Sequence, residues 1–133
     1  MDTIKKIIKD FFQHKDQIIS VHLFGSYAKG SSRKDSDVDV AILCDAKNMP
    51  SKLDVLQWRQ DLADLLHKDV DLVCLNDASP ILGMQVAQGK IDILVKNVNI
   101  YAYYIMYLFS DYAELKELRA PMEKDILKRK YYD

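Results

Sequence analysis

The stretch from Phe24 to Leu43, FGSYAKGSSRKDSDVDVAIL, constrains this chain more than any other. An apolar run from Ile18 to Phe24 stops at Gly25-Ser26. A short polar segment follows, and the chain re-enters an apolar strand through Asp37-Val38-Asp39. Side chains two apart on a strand share a face, so Asp37 and Asp39 point the same way from a rigid element. Two carboxylates about 4 Å apart repel by roughly 4 kcal/mol at an effective dielectric near 20. A cation between them removes that cost. Hard oxygen ligands, with no His or Cys alongside, suit Mg²⁺ or Mn²⁺ better than zinc.

Gly25-Ser26 falls where the strand gives way to a helix, expected over Ser26 to Ser32. Glycine lets a ligand approach the backbone closely, and the free N–H groups of a helix start attract phosphate. The Ser26 hydroxyl adds a donor without bulk. A phosphate cradle ten residues before a metal-binding carboxylate pair describes a nucleoside triphosphate site.

These residues carry a resemblance. Gly25-Ser26, ten intervening residues and Asp37-x-Asp39 resemble the GS-x10-D-x-D signature of the DNA polymerase β-type nucleotidyltransferases. The short chain makes it similar to the minimal nucleotidyltransferases, the MNT proteins. The resemblance implies an α+β nucleotidyltransferase fold, a mixed sheet flanked by helices, over about residues 18 to 96. It also implies a third acid on a later strand, which Val70-Asp71-Leu72 matches. Asp71 stands out independently, because an acid inside an apolar strand is costly to bury unpaired. A metal shared with Asp37 and Asp39 gives it a reason, and an edge position facing water is the alternative.

The expected chemistry follows. Asp37, Asp39 and Asp71 hold two Mg²⁺ ions, with Mn²⁺ able to substitute, and Gly25 and Ser26 receive the phosphates of ATP. Asp71 is the candidate general base. Between elbow and carboxylates lie Tyr27, Lys29, Arg33 and Lys34. Arg33 can meet triphosphate through its fork of donors, and Lys29 through its charge, or both are exposed residues of a short helix and loop. Tyr27 reads as packing.

With 133 residues the chain fits one domain. We expect residues 1–98 to form the minimal nucleotidyltransferase unit and 99–133 a helical extension of it. A formal net charge of −1 provides no basic field for long nucleic acid, which argues against a polymerase gripping a duplex. Cys44 and Cys74 lie on the strand faces opposite the aspartates and read as buried thiols of a reduced compartment. Neither a signal-peptide core nor an apolar run of spanning length is present, so a cytoplasmic protein is expected.

Around this centre, Ile4, Ile7, Ile8, Phe11 and Phe12 give a first helix one apolar stripe. Ser51 caps a helix to about His67 whose Leu53, Leu56, Leu62, Leu65 and Leu66 form a leucine-rich face, with Trp58 packing near it. A short helix over 80–88 precedes a strand over 91–95, in which Asp92 reads as an ordinary outward acid. His14, His22 and His67 are scattered, with no Ser-His-Asp arrangement in view. Every tyrosine except Tyr27 lies between Tyr101 and Tyr132. Tyr104, Ile105, Leu108, Tyr112 and Leu115 share one face of a long helix, and Pro121 can open a last one. That tail either packs on its own sheet or meets a partner.

A chain this short has little room for a large acceptor domain. The resemblance points the same way, because MNT proteins commonly pair with HEPN-domain ribonucleases in toxin-antitoxin modules and transfer AMP to a tyrosine of the toxin. The leading expectation is an antitoxin that adenylylates, or AMPylates, such a toxin and binds it. The alternatives are an aminoglycoside-type small-molecule nucleotidyltransferase and an antitoxin that acts by binding alone.

Overall fold

A computed structural model of the chain describes residues 2–132, with side-chain surroundings through Glu117. The first helix, α1 (Asp2–Gln13), buries Ile8 and Phe12 completely. β1 (Ile18–Phe24) leads through Gly25 into a single turn, α2 (Ser26–Lys29). This helix is three residues shorter than its sequence predicts. Gly30 adopts the left-handed conformation (φ 73°) and returns its N–H to Ser26 O, which closes the turn.

β2 (Val38–Cys44), α3 (Lys52–Leu66), β3 (Val70–Cys74), α4 (Pro80–Gly89), β4 (Ile91–Val95) and α5 (Val98–Tyr132) follow. α3 opens with a reciprocal capping box between Ser51 and Asp54. The expected leucine-rich face is not formed: Leu62 and Leu66 are buried, whereas Leu53, Leu56 and Leu65 are exposed. At 100° per residue Leu53 and Leu56 lie on other sides of the helix from Leu62 and Leu66, and the side that packs on the core is the one carrying Val55, Trp58, Leu62 and Leu66. The tail is also corrected, since α5 runs as one helix through Pro121 to Tyr132 instead of restarting there.

The sheet has the order β3-β2-β1-β4. β1 is antiparallel to both neighbours, and β2 is parallel to β3. One face carries Val21, Leu23, Val38, Val40, Ile42 and Val70 against α1 and α3, and Phe12 meets Trp58 edge-on there. Cys44 is buried on that face and Cys74 half-buried, both as free thiols. The other face carries Ile19, Ala41 and Leu43 against α4, which contributes Val86, and α5. α5 comes close to α4 at Gly83, where an added methyl group would lie 2.6 Å from Leu108 Cδ1 and 3.0 Å from Tyr104 Oη. Among the described residues no helix is long and apolar enough to cross a membrane.

Candidate active site

Strand register builds the site. Phe24, the last residue of β1, lies opposite Asp39 of β2, and Asp39 lies beside Asp71 of β3. Asp37 stands two residues before Asp39, at the mouth of β2. The three acids therefore share one end of the sheet, in a row beginning where β1 turns into the Gly25-Ser26 elbow. The parallel ladder starts at that end, with Val38 N–H donating to Asp69 O at 2.9 Å.

Gly25 is packed directly onto this row. A Cβ on it would overlap Asp39 Oδ2 and lie 3.0 Å from Asp39 Cγ. Its backbone (φ 72°, ψ −149°) lies in a region open almost solely to glycine. Two independent demands, conformation and space, thus fix the residue. Ser26 is half-buried at the start of the turn, and Tyr27 is buried, as packing requires.

Electrostatics agree with the geometry. Asp39 is held above the usual carboxylate range, first by burial and then by the neighbouring charges of Asp71 and Asp37. Asp37 and Asp71 are exposed, so the row opens to solvent on the side where a ligand would arrive. Among the described residues no three His, Cys, Asp or Glu side chains are grouped so that they could hold a metal ion by themselves. An open row of carboxylates suits Mg²⁺, which keeps much of its coordination for water and substrate phosphates.

The two basic residues weighed from sequence separate here. Lys29 lines a cleft of ≈ 510 Å³ with Phe24, Gly25, Gln85, Gln88 and Gly89, on the β4 side of the elbow. Arg33 is exposed on the loop; its backbone N–H donates to Ser36 Oγ at 2.7 Å, and its guanidinium has no hydrogen bond or ion pair among the described residues.

Sequence reasoning missed one constellation altogether. Ser20, His22 and Asp92 form a hydrogen-bonded chain: the Ser20 hydroxyl donates to His22 Nε2 at 2.7 Å, and His22 Nδ1–H donates to Asp92 Oδ1 at 2.7 Å. Lys90 binds the same carboxylate, and the Tyr101 ring lies 4.9 Å from the His22 ring. Asp92 is therefore more than an ordinary outward acid, and His22 is a buried joint between β1, β4 and α5. The signal lay in the pairing of β1 with β4, which no local pattern encodes. Ser20 and His22 are sealed from solvent, so the chain ties elements together and offers no nucleophile.

Burial lowers the His22 pKa against the opposing pull of Asp92, which favours the neutral imidazole. Burial also works against the Asp92 carboxylate, but the bonds from Lys90 and His22 outweigh it and hold that carboxyl below its ordinary range. In an unfolded chain His22 takes up its proton near pH 6.5, whereas the folded protein resists it. Stability is thus fully present above that value and falls as the pH drops below it. The urea midpoint is expected to decline on acidification from pH 6.5, and His22→Asn to flatten that slope. An equally steep decline in the variant counts against the assignment.

A Gly-Ser elbow seated on a row of carboxylates at a strand end is the arrangement that the nucleotidyltransferase signature predicts. Residues 6–99 match the family described as "Polymerase beta, Nucleotidyltransferase", and the chain belongs to it. Among curated proteins it is similar to the protein adenylyltransferase MntA of Shewanella oneidensis, 40% identical over 88 residues, covering 64% of this chain and 60% of that protein. It also resembles the protein adenylyltransferase MntA of Thermococcus cleftensis, 35% identical over 79 residues, covering 55% of this chain and 78% of that protein. A chain from a crystal structure of a toxin-antitoxin with AMP-PNP superposes with a TM-score of 0.81 at 26% identity, covering 92% of this chain and 98% of that one.

Proposed function

We propose that the protein is an antitoxin that transfers AMP from ATP to a tyrosine of a HEPN-domain ribonuclease toxin, in the cytoplasm. The observation that carries this reading is the register Phe24–Asp39–Asp71, which sets the elbow and the carboxylates at one end of the sheet. The relatives called protein adenylyltransferases and the toxin-antitoxin likeness support the choice of acceptor.

In this reading Asp37, Asp39 and Asp71 hold Mg²⁺, two ions being the expected number. The metal, when bound, offsets triphosphate charge and lowers the pKa of the acceptor hydroxyl. Gly25 allows the phosphates to approach its backbone, and Ser26 donates to them. Lys29 and Arg33 are the cations available for the remaining phosphate charge. Asp71, exposed at the outer end of the row, takes the proton of the tyrosine hydroxyl. The phenolic oxygen forms a bond to the α-phosphorus in line with the departing bond, and pyrophosphate leaves with the electron pair.

Incubation with ATP labelled on the α-phosphate, Mg²⁺ and a HEPN-domain toxin is the direct test. Label is expected on the toxin, on a phenolic oxygen. Label on an aminoglycoside instead would move the acceptor class to small molecules, and label left wholly in ATP would sink the proposal.

A further inference from the structure

The first three turns of α5, Val98 to Phe109, contain one polar side chain besides the tyrosines, Asn99. A helix that is apolar all round is covered all round in a stable protein. Here only one side is covered. Tyr101 packs on His22 and stacks at 6.3 Å with Tyr104, while Leu108 is buried against Gly83. The outer side leaves Val98 70% exposed, Ile100 41%, Tyr103 62%, Met106 65%, Tyr107 70% and Phe109 51%.

At 3.6 residues per turn these six fan over roughly half the helix circumference, interrupted by Asn99 and small residues. Together they expose on the order of 600 Å², beyond the single scattered apolar side chains of an ordinary surface and close to one partner's share of a stable interface. Tyrosine, methionine and phenylalanine without lysine or glutamate are also the composition of an interface centre. Ile100, Tyr103 and Tyr107 continue into a mostly apolar cleft of ≈ 490 Å³ lined also by Leu43 and Leu75, with Asp111 its one charged residue, at the ends of β2 and β3 opposite Asp39 and Asp71.

We infer that the outer face of α5 from Val98 to Phe109 is the docking surface for the toxin, through an uncharged apolar patch on that partner. The inference rests on the toxin-antitoxin reading above. The toxin is favoured as occupant because the similar solved chain, matched over 92% of this one, comes from a toxin-antitoxin structure, and because a patch without charge selects an apolar partner surface. Docking and catalysis then occupy opposite ends of the same strands. Complex formation is then separable from transfer.

The test uses the full chain and a HEPN-domain toxin, with affinity measured by calorimetry and transfer by α-labelled ATP. The double variant Met106→Glu, Tyr107→Glu is expected to weaken binding at least a hundredfold while its circular dichroism and melting stay as in the parent, since both side chains are largely exposed. Leu53→Glu, 77% exposed on α3, is the control and is expected to bind normally. Asp39→Asn is expected to bind normally while losing transfer. Toxin binding unchanged in the double variant overturns the inference, as does failure of the parent chain to bind toxin. A parent dimer that the double variant turns into monomers, with toxin binding intact, assigns the face to a second copy and overturns it too. Binding that depends on α5 without any AMP transfer would sink the transferase reading and leave the docking surface standing.

Discussion

Asp39→Asn is expected to lower AMP transfer roughly a thousandfold or more without loss of fold, because it removes several kcal/mol of transition-state charge stabilisation. Asparagine keeps the shape and one oxygen acceptor of the side chain, so packing against Gly25 is retained. What disappears is the charge at the centre of the row, between Asp37 and Asp71. Those neighbours hold the Asp39 carboxyl above its ordinary range, so its neutral replacement relieves repulsion in the protein without its cation. The variant should therefore melt at or above the parent temperature in the absence of Mg²⁺. Lost activity with lost stability would indicate a structural acid, and transfer above a tenth of the parent rate would place the reaction centre elsewhere.

Gly25→Ala is expected to be the most damaging single-methyl change in the described chain. The substitution meets two obstacles at once. The conformation at φ 72°, ψ −149° costs a non-glycine residue about 1–3 kcal/mol, and the methyl group falls on Asp39 Oδ2, adding strain of similar size. Either the elbow or the carboxylate must move, so transfer is expected to fall with stability. Gly30→Ala is the matched comparison. Its φ of 73° and ψ of 15° are left-handed helical, with nothing within 4 Å of an added methyl, so it should cost only about 1 kcal/mol and retain transfer. Denaturant midpoints and initial rates for the two variants distinguish steric overlap from conformation. Equal effects would show that contact with Asp39 is unimportant.

How far the chain can be read without its structure depends on the distance over which each signal acts. The elbow, the acid pair and the stripe of α1 are encoded within a turn or a strand, and each appears where its spacing places it. Three of the five leucines of α3 face solvent, because at 100° per residue they do not all fall on the side that carries Leu62 and Leu66, and abundance of leucine is not a shared face. Likewise, the apolar pattern of α5 fits packing and partner binding equally well. Contact with Gly83 and His22 covers one side and leaves the other open.

The sequence by itself determined the elbow and the paired acids, since these rest on backbone geometry and side-chain alternation over a few residues, and their spacing carried the resemblance that named the family. Only the tertiary structure decided that Asp71 stands beside Asp39, that Ser20, His22 and Asp92 join into one buried chain, and that Lys29 rather than Arg33 lines the cleft beside the elbow. The physical reason is register. Which residue of one strand lies beside which residue of another is set by the packing of the whole core around the sheet, and no local run of side chains contains that information.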